Sequence, residues 1–160
     1  METAVAGIKG VVPAVLILAM AYCINAISKA LGAQDFIISA IAPWMTAALL
    51  PLVTFATGSL ISFFTGTAWG TYAIVVPFVM PVALSLSGGE ITPAVLLTVG
   101  AVVGGGILGD HCSPVSDTTC LSSFGAGSDH MDHVTTQLPY ALVCGALACG
   151  MFGVLGWVLV

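Results

Sequence analysis

Long apolar stretches, separated by short polar or glycine-rich interruptions, run along almost the whole chain. The first, from Gly10 to about Ser28, predicts a membrane crossing with Asn25 and Ser28 as its few polar members and Lys29 placed to snorkel toward the headgroups. It reads as a retained crossing rather than a signal peptide, because no small-residue cleavage site follows it. Leu31 to Asp35 is a short connection. From Phe36 to Leu86 the apolar character is nearly unbroken, too long for a single crossing of about 20 residues. Pro43 and Pro51 predict a kink or a tight hairpin within it. The run Thr65-Gly66-Thr67-Ala68-Trp69-Gly70-Thr71 predicts an interruption, since Gly and Thr are poor residues for a helix interior. A helix then resumes over 72–85, and Ser87-Gly88-Gly89-Glu90 forms a surface loop.

Thr92-Pro93 is a helix-start pair, Thr as N-cap and Pro at the first helical position. That helix runs to about Gly109 through the small-residue stretch 100–106, which suits close helix contact in a membrane. A polar stretch from Asp110 to Thr119 breaks it, and the segment Ser128 to His133 reads as surface. A last crossing spans Gln137 to Val160, with glycines at 145, 150, 153 and 156.

Composition decides the solvent. Of 160 residues 59% are hydrophobic and 6% charged, and the mean hydropathy is +1.15. Soluble domains carry about 25% charged residues, so this chain cannot cover itself with a wet surface. The fold class expected is all-α: a polytopic membrane protein with about five to six transmembrane or half-membrane helices, discontinuous near Gly66–Gly70 and Asp110–Pro114. The net charge of -5 reflects scarcity of basic residues, Lys9 and Lys29 being the two present. That excludes a nucleic-acid footprint. The cysteines at 23, 112, 120, 144 and 149 lack framework spacing and read as small buried residues.

Chemistry concentrates in Gly109-Asp110-His111-Cys112-Ser113-Pro114-Val115-Ser116-Asp117-Thr118-Thr119. An ionised Asp at the centre of a membrane helix costs at least about 2.5–3.5 kcal/mol, so two carboxylates here need partners, protons, water or a cation. Pro114 disfavours helix at Ser113, and Ser113-Pro114 suits an N-cap and first position. One helix is thus expected to end near Asp110 and another to begin at Ser113. Opened carbonyls, hydroxyls and carboxylates are the hard oxygens that Na⁺ prefers, and broken helices build the ion sites of secondary transporters. The alternative is a polar loop in which Ser113 and Asp117 act as caps. The Thr65–Thr71 run, with Thr65, Gly66, Thr67 and Trp69, is the candidate second half of the site, against a plain Gly/Thr helix contact; His111 is a further secondary candidate. Asp129-His130-Met131-Asp132-His133 has the residue types of a metal cluster, but a solvated loop whose acids favour the start of the last helix fits better, with His133 a candidate for pH sensing.

These residues resemble the NhaC-type sodium/proton antiporter family. The likeness rests on the run 109–119 with Ser122-Ser123, on Asp129 to Leu142, and on Phe64 to Thr71. It implies an exchanger of Na⁺ against H⁺ in the cell inner (cytoplasmic) membrane, built of two related halves. Residues 1–160 would be a single transmembrane domain, the C-terminal half or a fragment of a longer antiporter. On this reading Asp110, Ser113, Ser116, Asp117, Thr118 and Thr119 bind Na⁺ and H⁺ in competition. No cofactor is expected, Na⁺ and H⁺ being the transported ions. The implied partners are the lipid bilayer, the remaining half of the transporter and, compatibly, further copies in a homo-oligomer, with no nucleic acid. A Na⁺- or H⁺-coupled exchanger of organic acids such as malate or lactate is the sister alternative; a non-transporting subunit or inert fragment is another. An enzyme is not expected. Gly106-Ile107-Leu108-Gly109-Asp110 only faintly echoes an intramembrane aspartyl protease, and no HExxH occurs.

Overall fold

The computed structural model describes residues 44–159 and, before them, isolated positions between Val5 and Ala40. The predicted crossing from Gly10 to Ser28 falls largely outside the described residues, as do Asn25, Lys29 and Pro43. Among the described residues every regular element is helical. α1 is Leu50–Thr65, α2 Ala68–Leu86, α3 Pro93–Cys112, α4 Asp117–Ala126 and α5 His130–Leu159. α2, α3 and α5 are each long and apolar enough to cross a membrane, and α1 is a shorter apolar helix. The chain is a multi-pass membrane protein.

Local chemistry sets the boundaries, and several differ from the sequence expectation. Pro51 makes no kink or hairpin: it lies in the first turn of α1, where a missing N–H leaves no bond unmade. The first interruption is narrower than expected, just Gly66 and Thr67. Gly66 takes a left-handed φ of 68° and donates its N–H to the Ser62 carbonyl at 2.8 Å, closing α1. Thr67, extended, accepts the Gly70 N–H and opens α2, so Trp69, Gly70 and Thr71 are already helical. α3 does begin at Pro93, but the Thr92 hydroxyl donates to Ser87 Oγ at 2.9 Å instead of capping the helix.

The second interruption is displaced forward. α3 continues through Asp110, His111 and Cys112, ending where Pro114 forces Ser113 to extended backbone, ψ 135°. Ser116, not Ser113, caps α4, accepting N–H bonds from Thr118 at 3.1 Å and Thr119 at 3.4 Å. α5 starts at His130, earlier than the expected Gln137, because Asp129 Oδ1 accepts the N–H groups of Met131 and Asp132 at 2.9 and 3.2 Å.

Glycine determines how these helices approach. α1 and α3 run parallel with Gly58 facing Gly105, and a Cβ on Gly105 would stand 2.6 Å from the Phe55 carbonyl oxygen. A Cβ on Gly109 would overlap the backbone of Ser59 and Phe63. α2 returns antiparallel and lays the Tyr72 ring on Gly106. α5 also runs antiparallel to α3, placing Gly145 under Leu108 and Gly156 on the Ala48 backbone, with Phe152 and Phe55 rings 5.1 Å apart. Among the described residues, nothing stands within 4 Å of a Cβ placed on Gly150.

The packing is inverted relative to a water-soluble protein. Thr71, Thr98, Ser62 and Ser113 are fully buried, whereas Leu147, Trp157 and Val158 face outward. A helix bundle in lipid keeps its small polar residues inside, where backbones meet, and gives its large apolar residues to the acyl chains. Cys112 is buried as expected; Cys23 and Cys144 are exposed, since an outward thiol costs little beside lipid. At the end of the bundle where α1 and α3 begin, Leu50, Val82, Ala83 and Val95 form an apolar cluster with Met45 and Met80. The opposite end carries both interruptions.

Gly109→Ala should lower the thermal stability of the purified protein in detergent by about 1–3 kcal/mol, because rigid backbone rather than a side chain fills the space. Gly125→Ala, where nothing lies within 4 Å of the added carbon, should be neutral or stabilising. Equal melting temperatures for the two variants would contradict the backbone-contact account.

Candidate functional site

Two chain interruptions in an apolar bundle expose carbonyls and N–H groups that lipid cannot satisfy. Here they lie face to face. Gly66 sits directly against the Val115–Ser116 peptide, a Cβ there meeting the Val115 carbonyl oxygen at 2.7 Å. The Ser113 hydroxyl donates to the Phe63 carbonyl at 2.6 Å, tying the second interruption to the last turn of α1. From the preceding residue, Ser62 Oγ donates to the Gly106 carbonyl at 2.5 Å. Thr119 Oγ1 lies 3.3 Å from the Asp110 carbonyl oxygen and 3.2 Å from that of His111, covering the end of α3.

Within this junction Asp110 is half-buried, and Ser116 Oγ donates to its Oδ1 at 2.7 Å. Ser116 Oγ also lies 2.7 Å from Thr118 Oγ1, with either hydroxyl able to donate. Ser116 is fully buried, so the carboxylate and two hydroxyls form a continuous line from the inside of the bundle to the exposed Thr118. The Tyr72 hydroxyl donates to the Val103 carbonyl at 3.1 Å.

The predicted site residues therefore separate into groups. Asp110, Ser116 and Thr118 converge. Ser113 and Thr119 stand beside them with their hydroxyls committed to backbone carbonyls. Asp117 is exposed in the first turn of α4, where a carboxylate complements the helix dipole. Gly66 and Thr67 form the facing interruption, whereas the Thr65 hydroxyl turns back to the Ile61 carbonyl at 2.8 Å. Trp69 is 58% exposed, its ring edge-on to Tyr72 at 5.9 Å. His111 Nδ1 is 2.9 Å from the Ile107 carbonyl oxygen of its own helix.

Tyr72, Ser62 and His130 carry contacts that the sequence reading does not assign. Tyr72 is signalled by its place just after the first interruption, and Ser62 by lying one turn before Gly66. His130 is no solvated loop residue: it is half-buried, its Nε2 2.8 Å from the Pro114 carbonyl oxygen. Among the described residues no group of three or more His, Cys, Asp or Glu side chains is placed to hold a metal ion.

Interrupted membrane helices that meet beside a half-buried carboxylate are an arrangement that secondary transporters use at their ion sites. The chain belongs to the Na+/H+ antiporter family, whose family model matches residues 1–157. An uncharacterized protein of Haemophilus influenzae is 41% identical over 137 residues, covering 86% of this chain and 26% of the relative. The arginine/ornithine antiporter ArcD of Halobacterium salinarum is 40% identical over 60 residues, 38% of this chain and 12% of that protein. An uncharacterized Na(+)/H(+) antiporter of Haemophilus influenzae is 36% identical over 90 residues, 56% of this chain and 18% of its own length. The chain thus spans about a quarter or less of the curated relatives it matches. No solved structure matches it.

Ser116→Ala removes both the α4 cap and the hydroxyl on Asp110. Loss of a Ser cap costs about 1 kcal/mol, so amide exchange of residues 117–120 should quicken roughly fivefold while α5 is unchanged. Unaltered exchange in that turn would show that Ser116 does not hold it.

Proposed function

We propose that this chain forms the ion-binding part of an NhaC-type secondary transporter that exchanges Na⁺ for H⁺ across the cytoplasmic membrane. One observation carries the reading: the Asp110–Ser116–Thr118 line lies where two interrupted helices meet. Its hydrogen bonds are reversible. With Asp110 ionised, Thr118 donates to Ser116 and Ser116 to the carboxylate. With Asp110 protonated, the acid donates to Ser116, whose hydrogen turns to Thr118. The same oxygens suit a dehydrated Na⁺, being hard and partly anionic.

A cation and a proton cannot both occupy Asp110, so one displaces the other. A site with that property, opened alternately to the two sides, gives exchange rather than leak. The lipid bilayer is the solvent, and the rest of the longer transporter is the expected partner across the exposed helix faces. Asp117, at the mouth of the junction, attracts cations rather than holding them.

A second reading is exchange of cationic amino acids, favoured by the stretch shared with the arginine/ornithine antiporter. A carboxylate flanked by hydroxyls also recognises an ammonium or guanidinium group. Organic acids such as malate or lactate fit less well, since the described residues include no Lys or Arg to face their carboxylates.

The test is sodium-driven proton movement in proteoliposomes carrying the full-length protein, run beside arginine/ornithine counterflow. Asp110→Asn should lower sodium-driven exchange at least about tenfold, removing both the proton carrier and the charge-assisted contact. Asp117→Asn should raise the Na⁺ concentration for half-maximal rate without abolishing exchange. Normal exchange by Asp110→Asn would sink the assignment, and counterflow without sodium-driven proton movement would select the amino-acid reading.

A further inference from the structure

Between the second interruption and α5 stands a group for which the exchange reading has no use. The His130 ring is wedged among three elements: the Pro114 turn, α4 and the first turn of α5. Its Nε2 lies 2.8 Å from the Pro114 carbonyl oxygen and 3.8 Å from Cys120 Sγ. Its Nδ1 lies 3.2 Å from Ser123 Oγ, and that hydroxyl also lies 2.8 Å from the Cys120 carbonyl oxygen. Ser123 is fully buried, Val134 one turn along α5 is nearly so, and the α4–α5 connection is held by the Ser128 N–H on the Ser123 carbonyl at 3.1 Å.

These partners are not equivalent in the two protonation states. As an imidazolium, His130 donates from Nε2 to the Pro114 carbonyl and from Nδ1 to Ser123 Oγ, and Ser123 donates onward to the Cys120 carbonyl. Every hydrogen then has an acceptor. In the neutral ring that keeps the Pro114 bond, Nδ1 is an acceptor, and the one Ser123 hydrogen must serve either Nδ1 or the Cys120 carbonyl. The other neutral tautomer sets the bare Nε2 lone pair against the Pro114 oxygen and loses that bond. Protonation thus completes the network and adds charge to the bond on Pro114.

We propose that His130 is a positioning residue whose protonation clamps the Pro114 turn, and with it Ser113 and Ser116, against α4 and α5. The proposal rests on reading that interruption as the exchange site. Its consequence is directional: acid grips the interruption, and alkali loosens it. Histidine is the side chain whose charge ordinarily changes between about pH 5 and 8, and that range sets the two pH values of the test. Among the described residues, the titratable groups on the neighbouring elements are Cys120 and Asp117 on α4, His111 at the end of α3, and Asp129, Asp132 and His133 on its own segment. Asp129 is occupied by the Met131 and Asp132 N–H groups, and Cys120 is the one of these in contact with the ring.

Amide hydrogen exchange of residues 113–119, corrected for intrinsic exchange rates, decides the matter in the full-length protein. Wild type should be about fivefold more protected at about pH 5.5 than at about pH 8, the gain from a charged over a neutral hydrogen bond. His130→Gln can donate but not titrate, and should abolish that difference; His133→Gln should keep it. Should His130→Gln not fold, Ser123→Ala, which strips the imidazolium of its Nδ1 acceptor, should flatten the difference instead. In proteoliposomes His130→Gln should exchange ions with a flattened pH profile, whereas Asp110→Asn fails at every pH. A pH difference retained in full by His130→Gln, or absent from wild type, overturns the clamp. Wild type without any sodium-driven proton movement would instead overturn the exchange reading, and amide protection would still decide the clamp.

Discussion

Everything at the broken end of this bundle follows from one constraint: a backbone group opened inside lipid must find its partner within the protein. The two interruptions meet that demand together. Ser113 covers the Phe63 carbonyl, Thr119 the carbonyls of Asp110 and His111, and His130 the carbonyl of Pro114. Ser116 supplies the start of α4. Most hydroxyls and imidazoles in this region are therefore fixed by the backbone they serve. What remains adjustable is the line from Asp110 through Ser116 to Thr118, where the proton order is not imposed by a carbonyl.

Such close service requires the helices to be nearly in backbone contact, which explains where glycine stands. Gly105 and Gly109 bring α3 against α1 at the turns that carry Ser59, Ser62 and Phe63, and Gly106 admits the Tyr72 ring from α2. Without that approach the Ser113 hydroxyl would not reach the Phe63 carbonyl. α5, at 30 residues, is as long as the 20 of α3 and the 10 of α4 combined. It forms one continuous helix beside a broken pair, and Ala141 and Gly145 pack where α3 nears its end. The continuous partner lets α3 stop without leaving its last turn open to lipid.

How much of this the sequence reveals depends on the kind of signal. Membrane residence, helical class and the existence of both interruptions are legible because they rest on coarse properties: absence of charge, runs of apolar residues, and Gly, Thr and Pro placed where a helix tolerates them poorly. Boundaries are less legible. Pro114 marks that α3 must end, but Ser113 and Ser116 are both competent caps, and only the geometry of the intervening turn selects Ser116. Likewise Asp129 acts as a cap eight residues before Gln137, where the apolar run that marks the last crossing begins. Which residues share the junction is legible only as far as the two interrupted runs that together mark the candidate site; spacing does not sort their side chains. Asp117 is adjacent to Ser116 in sequence yet points outward, whereas Gly66 and Val115 are remote in sequence and touch.

The choice of neighbours around Asp110 also argues about its work. Lys9 and Lys29 are the chain's only Lys or Arg residues, and neither lies among the described residues. On the proposed reading, a lysine or arginine beside Asp110 would hold the carboxylate ionised and fill the place the cation would take. Hydroxyls make no such commitment. Each can donate to a carboxylate, accept from a carboxylic acid or turn its oxygen to a metal ion, at nearly constant geometry. On the proposed exchange reading, a half-buried acid supported by Ser116 and Thr118 would pass between proton-bound and cation-bound states by moving hydrogens, with the helices left where the glycines have fixed them.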